Sequence, residues 1–292
     1  SLAGHLKLRK LIYLYDDNHI SIDGSTDLAF TEDRGKRFEA YGWHVQKVSD
    51  GNDVQAIHAA IRRAKKDERP SIIMCRTHIG YGLPTRQDTA KAHGEPPGEE
   101  ELRNAKIKLG WPVEPKFIIP EDVLTFFRKA VRAGKRAEAA WKTLFANYRK
   151  EYPQLAAEFE RRMAGKLPNG WHEGLPEFQA DEKGIVTRAA SGKTINALAG
   201  RLPELIGGSA DLTPSNNTWI VESKPFQAEL PEGRYLHFGV REHAMGAVIN
   251  GIALHKGLIP YGGTFLVFSD YMRPAVRISA ISHIPSIWIY TH

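Results

Sequence analysis

Apolar runs and a helical repeat alternate in the first third of the chain. KLIYLYDDN (10–18) is an apolar run that ends in polar residues, and SIIMCRT (71–77) is a second one after Pro70. Between them, apolar residues at 54, 57, 60, 61 and 64 have the spacing of a helix over 53–67. A strand, a helix and a strand in this order predict a parallel β-α-β arrangement.

Breaks in this pattern divide the chain. Residues 79–98 are rich in glycine, proline and polar residues and predict a long loop, whereas 120–165 are charged and predict helix. Glycine and proline reach linker density over 166–184. The sequence therefore predicts an α/β protein with two domains, residues 1–150 and 185–292, joined by a linker over 151–184.

The second domain repeats the alternation of strand and helix. Its predicted elements are a helix over 187–203, a strand and loop over 204–213, a strand over 234–240, a helix over 241–257, a glycine turn over 259–265 and a core strand over 286–292. Polar residues follow the β-like runs of both domains, at Asn18, Thr77, Asp211, Glu242 and His292. Open parallel sheets bind ligands outside the carboxyl ends of their strands, so this placement predicts sites built from strand ends.

Composition narrows the class of protein. The 292 residues are 42% hydrophobic and 25% charged, which is typical of a globular protein, and no apolar run is long enough to span a bilayer. The net charge is +6, but the densest basic groups, 62–69 and 128–136, lie on helix-like patterns. We therefore expect solvated helix faces rather than a nucleic-acid or membrane partner. The single Cys75 excludes an internal disulfide and suggests the cytoplasm.

Two loops of the first domain carry candidate ligands. In YDDNHISIDG (15–24), the Asn18 amide and the Ile20 carbonyl offer oxygen to Mg²⁺ or Ca²⁺, and an Asx-type turn is the alternative. In AHGEPPG (92–98), His93 beside Gly94 suits a phosphate ligand or an ordinary surface histidine.

Three motifs of the second domain carry further candidates. GGSADLTPSN (207–216) offers Asp211 and Ser215 to a ligand, and a helix N-cap by Ser or Thr is the alternative. Phe265, Phe268 and Tyr271 have the spacing of one helical face, which suits the core or a pocket for a flat heterocycle. Glu242 begins an apolar helix, where a carboxylate interacts with the helix dipole for about 0.3–1 kcal/mol.

These motifs, taken in order, closely resemble transketolase. YDDNHISIDG, IGYG with AHGEPPG, GGSADLTPSN, FGVREHAMG, YGGTF and WIYTH run through essentially the whole chain. The resemblance implies the end of a diphosphate-binding domain followed by the start of a pyrimidine-binding domain, both incomplete, each with a parallel sheet flanked by helices. Together with the first residue, Ser1, and the final strand, it leads us to expect an internal piece of a longer protein.

The resemblance also implies an activity. Transketolases use thiamine diphosphate and a divalent cation, Mg²⁺, Ca²⁺ or Mn²⁺. They transfer a two-carbon ketol unit from a ketose phosphate, such as xylulose 5-phosphate, to an aldose phosphate, such as ribose 5-phosphate. Their active sites form at the subunit interface of a homodimer, so the implied partners are sugar phosphates and a second copy of the chain.

The roles of individual residues follow from the same resemblance. Glu242 matches the glutamate that hydrogen-bonds N1′ of the aminopyrimidine, so that the imino nitrogen takes the thiazolium C2 proton and leaves a carbanion. His93 matches a histidine between the diphosphate and the substrate, and we assign both as catalytic. The cofactor-binding set adds Asn18, Ile20, Ile79, Asp211, Phe265, Phe268 and Tyr271, of which Asn18 and Ile20 bind metal, and the substrate-binding set adds Arg188, Ser215 and His292.

Departures from the family pattern leave alternatives open. The Gly-Asp-Gly motif with the third metal ligand would precede Ser1, and further substrate-binding residues would follow His292. We therefore expect residues 1–292 alone to be inactive. The alternatives are a dihydroxyacetone synthase, a 1-deoxyxylulose 5-phosphate synthase, or a non-catalytic scaffold with the same fold.

Overall fold

The computed structural model describes residues 1–180 and 183–292. The chain forms two units, Ser1–Arg132 and Ala133–His292. Each unit has its own parallel sheet flanked by helices, which confirms the predicted fold class.

The first unit contains a three-stranded parallel sheet in the order β1-β5-β4. Its elements are α1 (Leu2–His5), β1 (Ile12–Asp17), β2 (Ile20–Ser21), β3 (Gly24–Ser25), α2 (Arg34–Ala40), β4 (His44–Val48), α3 (Val54–Ala64), β5 (Ser71–Arg76), α4 (Glu99–Lys108) and the start of α5 (Glu121–Glu151). A short antiparallel hairpin, β2-β3, follows β1 directly. The predicted strands at 10–18 and 71–77 and the helix over 53–67 are confirmed.

Strand β5 is the centre of this sheet. Its first five residues are buried, and Ile72 and Ile73 point into hydrophobic clusters on opposite faces. Helix α3 covers one face with Ala60 and Ala64, both fully buried. The sheet is therefore covered around β5, and its strand ends remain free to carry functional residues.

Strand β4 is absent from the sequence prediction. The predicted parallel arrangement of the two strands is confirmed, because β1 and β5 are parallel neighbours, but helix α3 joins β4 rather than β1 to β5. The cause is Gln46, a polar residue that is only 8% exposed in the sheet. Its amide donates to the Ala60 carbonyl (2.9 Å) and accepts from Arg63 Nε (2.7 Å), so the helix satisfies a group that breaks the apolar alternation.

The second unit contains a four-stranded parallel sheet in the order β7-β6-β8-β9. Its elements, after the end of α5, are α6 (Pro153–Met163), α7 (Thr187–Arg201), β6 (Leu205–Ser209), α8 (Thr213–Asn216), β7 (Tyr235–His237), α9 (Glu242–His255), β8 (Ile259–Phe265), α10 (Ser269–Ile281) and β9 (Ile287–Thr291). The helices predicted over 120–165, 187–203 and 241–257 are confirmed, as are the strands within 204–213, 234–240 and 286–292.

The predicted glycine turn over 259–265 is wrong, because these residues form β8. Neighbouring elements pack directly on its backbone. A Cβ atom added to Gly262 would lie 3.2 Å from Met245 Sδ, and one added to Gly263 would lie 2.6 Å from Thr218 Cγ2. The glycines therefore serve close packing on a buried strand and not a change of direction.

The remaining segments are irregular. In the described part of 166–184 there is no helix or strand, and 79–98 form the predicted loop apart from a 3₁₀ turn at Ala90–Ala92. The domain boundaries given above remain a prediction. Among the described residues, no helix has both the length and the apolar character needed to cross a membrane.

Candidate active site

The carboxyl ends of the second sheet bring several predicted residues to one edge. Asp211 lies two residues after β6, Glu242 follows β7, Phe265 ends β8, and His292 follows β9. All four strands are parallel, so these positions leave the sheet in the same direction. In the first unit, Asn18 and Thr77 directly follow the parallel strands β1 and β5.

Glu242 is a buried carboxylic acid at the first residue of α9, with 7% of the residue exposed. Gly239, at φ +63°, and a hydrogen bond from Arg241 Nη1 to the Phe238 carbonyl (2.7 Å) shape the turn that precedes it. Within the described part of the chain, no hydrogen bond reaches the Glu242 carboxylate. The positive end of the helix dipole stabilises the charge, and the oxygens keep their capacity to accept a hydrogen bond from a ligand.

Three aromatic rings lie in series near the end of β8. The ring centroids of Phe265 and Phe268 are 5.6 Å apart and nearly parallel, and those of Phe268 and Tyr271 are 5.9 Å apart. They do not share one helical face as predicted, because Phe265 ends β8, Phe268 lies in a 3₁₀ turn and Tyr271 lies in α10. Tyr271 is 65% exposed, which argues against a core role and leaves a flat surface open to a ring-shaped ligand.

Arg188 connects two other predicted residues to these rings. Its Nη1 donates to the Ser215 carbonyl (3.3 Å) and contacts His292 Nε2. The His292 ring lies 4.5 Å from the Phe265 ring. Among the described residues, no carboxylate pairs with Arg188, so its guanidinium can bind an anion beside the aromatic surface.

Buried hydrogen bonds hold the turn between β6 and α8. Ser209 Oγ donates to the Gly263 carbonyl (3.1 Å) and accepts from the Leu212 N–H (3.2 Å). The Tyr235 hydroxyl bonds to Thr213 Oγ1 (2.9 Å). This network, which no sequence motif signals, fixes the segment that carries Asp211 and Ser215.

The structure also tests the capping role considered for this turn. Helix α8 has no hydrogen bond from a capping side chain. Asp211 is exposed and has a φ of +62°, a left-handed conformation that Asp tolerates. The first observation argues against a cap by Ser or Thr, and the second leaves Asp211 available to a ligand.

Asn18 adopts the turn that the sequence offered as the alternative to a metal site. Its Oδ1 accepts a hydrogen bond from the Ile20 N–H (2.9 Å), and His19 between them has a φ of +63°. The amide oxygen keeps a second lone pair, so the turn is compatible with metal binding. No group of three or more His, Cys, Asp or Glu residues in the described ranges could hold a metal ion. Because Mg²⁺ and Ca²⁺ take about six or more oxygen ligands, Asn18 and Ile20 can supply only part of a site.

Ile79 and His93 lie at opposite ends of one ordered loop. The Asp88 N–H donates to the Ile79 carbonyl (3.0 Å). Gly80 has a φ of +64°, and a Cβ atom there would lie 2.9 Å from the Cβ of Ala92, which precedes His93. The loop therefore brings Gly80, the residue after Ile79, against the turn that precedes His93, which is exposed.

A histidine–aspartate pair in the same loop is absent from the sequence prediction. His78 Nδ1 lies 2.9 Å and 3.0 Å from the two carboxylate oxygens of Asp88. Burial acts to raise the pKa of Asp88, but hydrogen bonds from His78 and then Gln87 lower it below its ordinary value. The ten-residue separation of His78 and Asp88 within an irregular loop gives no periodic signal from which to find the pair.

Comparisons with known proteins bear on both units. The family model described as "Transketolase, thiamine diphosphate binding domain" matches residues 1–168, and "Transketolase, pyrimidine binding domain" matches residues 183–292. The transketolase of Nostoc sp. is 56% identical over 295 residues, and that of Aquifex aeolicus is 48% identical over 292 residues. All of this chain is covered in both cases, but only 44% and 42% of the relatives' lengths.

Solved structures of transketolases also match this chain. A Pichia stipitis transketolase in complex with sedoheptulose 7-phosphate matches with a TM-score of 0.96 and 43% identity. Transketolase from Leishmania mexicana matches with a TM-score of 0.95 and 44% identity. Each covers 100% of this chain, which spans 44% and 43% of the two solved chains.

Proposed function

This chain belongs to the transketolase family, and we propose that the protein transfers a two-carbon ketol unit from a ketose phosphate to an aldose phosphate with thiamine diphosphate as cofactor. Xylulose 5-phosphate and ribose 5-phosphate are the proposed donor and acceptor. The observation that carries the proposal is Glu242, a buried carboxylate that no described residue hydrogen-bonds, at the strand-end edge that also carries the aromatic rings.

The residues present fit thiamine diphosphate. When bound, the cofactor supplies a nucleophilic carbon and an electron sink for the transferred unit. The Glu242 carboxylate would hold the pyrimidine ring by accepting a hydrogen bond from its N1′ atom. Phe268, between Phe265 and Tyr271, offers its face to the pyrimidine ring. We assign both Ile79, on the thiazolium side, and Asp211 to the binding of thiamine diphosphate.

The substrate phosphate is assigned to Arg188, Ser215 and His292. Arg188 contacts the other two residues, and its guanidinium suits a phosphate group through paired, charge-assisted hydrogen bonds. The solved Pichia stipitis transketolase complex contains sedoheptulose 7-phosphate, a ligand of the class proposed here. His93 is proposed to lie between the diphosphate and the substrate, where its imidazole donates a hydrogen bond.

A divalent cation, Mg²⁺, Ca²⁺ or Mn²⁺, is proposed to bind the Asn18 amide oxygen and the Ile20 carbonyl. The remaining ligands would come from the diphosphate and from residues outside this chain. We further propose that the full protein is a homodimer with active sites at the subunit interface, and that residues 1–292 alone are inactive. The inactivity of residues 1–292 alone is supported by coverage, since the chain spans 44% and 42% of the lengths of two transketolases that it matches.

The full-length protein tests the proposal through Glu242→Gln, which keeps the size of the side chain and removes its charge. With thiamine diphosphate, Mg²⁺, xylulose 5-phosphate and ribose 5-phosphate, the wild type should form sedoheptulose 7-phosphate. The variant should lose at least about 10²-fold in kcat, as expected for a lost proton-transfer role. Glu121→Gln is the matched control, because Glu121 is also the first residue of a helix but is exposed.

Three outcomes would overturn the proposal. The first is a Glu242→Gln variant as active as Glu121→Gln. The second is a wild type that prefers formaldehyde or pyruvate as acceptor, which would indicate a dihydroxyacetone synthase or a 1-deoxyxylulose 5-phosphate synthase. Calorimetric titration that detects no cofactor binding to the full-length protein would indicate the non-catalytic scaffold.

A further inference from the structure

Asp88 ties together the start and the end of the loop that follows β5. Its carboxylate accepts from His78 Nδ1 at 2.9 Å and 3.0 Å, and its N–H donates to the Ile79 carbonyl at 3.0 Å. Asp88 therefore holds His78 through its side chain and Ile79 through its main chain. These contacts close the segment 78–88 on itself.

The conformation of Asp88 shows that this closure holds the residue in place. Its φ of +59° lies in the left-handed region, which Asp adopts more readily than most residues but less readily than glycine. Such a conformation persists where surrounding contacts hold it. Gln87 adds to these contacts, because its side-chain oxygen accepts from the Gly82 N–H (2.9 Å) and its amide lies 3.4 Å from Asp88 Oδ2.

A single hydrogen-bonded turn connects Asp88 to His93. The Ala92 N–H donates to the Thr89 carbonyl (3.1 Å), and the His93 N–H donates to the Ala90 carbonyl (3.0 Å). Ala92 in turn packs at Gly80, beside Ile79. Displacement of Asp88 would therefore move both residues that we assign to the cofactor.

The pair contributes little to the stability of the fold. The side chains of His78 and Asp88 are 37% and 38% exposed, and exposed ion pairs add little to stability. Arg76, from β5, also acts on Asp88, and it favours the ionised carboxylate. A solvent-accessible pair that fixes a left-handed residue in this loop is therefore explained better by positioning than by stability.

We propose that His78 and Asp88 form a clamp that positions Ile79 and His93 for the cofactor. The inference rests on the proposed function. Both are positioning residues, since they act through the loop rather than by touching the reacting atoms. Without the clamp, only a fraction of molecules hold the binding-competent loop, and the apparent affinity for the cofactor falls by that fraction.

The test uses the full-length protein and Asp88→Ala, with Asp67→Ala as the matched control. Asp67 also pairs with a histidine, His44, at 3.6 Å in the same unit but outside the loop. Hydrogen–deuterium exchange of peptides covering 79–93 is measured without cofactor. The apparent Kd for thiamine diphosphate and kcat at saturating cofactor are then compared.

Asp88→Ala should speed exchange in 79–93 and raise the apparent Kd about tenfold, as expected if the competent fraction falls to about one tenth. Its kcat at saturating cofactor should stay within about twofold, because binding energy then restores the loop. Asp88→Asn keeps an oxygen that can accept from His78 and should recover part of the affinity. Asp67→Ala should change none of the three readings.

Unchanged exchange in Asp88→Ala, or exchange that rises without loss of affinity, would overturn the clamp. A loss of kcat with no change in Kd would also do so, since it would assign the pair to the chemical step. Failure of the proposed function is distinguishable, because the wild type would then show no ketol transfer while the exchange measurement could still be made.

Discussion

Replacement of Arg161 by alanine should destabilise the second unit by about 3 kcal/mol, because it leaves a buried carboxylate without its main partner. Arg161 Nη1 lies 2.8 Å from Glu204 Oε1, and only 3% of the Glu204 side chain is exposed. Glu204 Oε2 is already buried without a hydrogen bond. Glu204 directly precedes β6, so its charge cannot reach water without disturbing the start of a core strand.

The size of this loss of stability follows from the contacts that Glu204 keeps after Arg161 is replaced. Removal of one partner of a buried ion pair costs about 3–5 kcal/mol. Arg162 Nε, at 3.8 Å from Glu204 Oε2, can compensate in part, which places the cost at the lower end. For a unit of this size, 1 kcal/mol lowers Tm by about 2–4 °C, so we expect a fall of about 6–12 °C.

The assay is thermal and urea unfolding of the full-length, cofactor-free protein at neutral pH. Arg149→Ala is the control, because Arg149 pairs with Glu160 at a site where both side chains are about half exposed. It should cost less than about 1 kcal/mol. The double variant Arg161→Ala/Glu204→Gln should recover part of the loss, since the unpaired charge is gone. The reasoning is refuted if Arg161→Ala costs no more than Arg149→Ala, or if the double variant is less stable than the single one.

Two further predictions concern packing and pH. Gly246→Ala in α9 should destabilise the protein by about 1–3 kcal/mol in urea unfolding, because the new Cβ atom would lie 2.7 Å from Ala275 Cβ. Gly251→Ala in the same helix has open space and should stabilise it by about 0.5–1 kcal/mol, so equal effects of the two changes would contradict the packing argument. A hydrogen bond from Arg69, opposed by burial, lowers the pKa of Asp67 from 3.8 to about 2, and this stabilises the folded state above the unfolded pKa. In urea titrations, the difference in the free energy of unfolding between wild type and Asp67→Asn should therefore be largest at pH 6 and should vanish as the pH falls from about 4 to about 2. A difference that does not change with pH would contradict this linkage.

Hydrophobic periodicity predicts those elements whose burial is purely apolar. Strand β5 carries five buried residues in a row, and α3 buries Ala60 and Ala64, so both are visible in the sequence. The position of Glu242 at the first residue of α9 is visible for the same reason, since an apolar helix follows the charged triplet directly. What the sequence determined is therefore the helices and strands whose burial is apolar and the presence of polar residues at strand ends.

Tertiary structure decided the rest, because the groups that satisfy buried polar atoms are distant in sequence. Gln46 is acceptable in β4 only because Ala60 and Arg63 satisfy its amide. Tyr261 is buried in β8 because its hydroxyl donates to the Thr218 carbonyl, 43 residues earlier. Neither partner can be read from the local pattern, so β4 was missed and β8 was mistaken for a turn.

The candidate site shows the same division. The sequence supplied Phe265, Arg188 and His292 as separate candidates, and only the folded second unit joins them through the Arg188–His292 and His292–Phe265 contacts. The His78–Asp88 pair was not found at all, because a loop without periodicity gives no spacing from which to infer a contact. Sequence thus determined which chemical groups are available, and the tertiary fold decided which of them meet, since their hydrogen bonds and ring contacts depend on three-dimensional proximity and not on position along the chain.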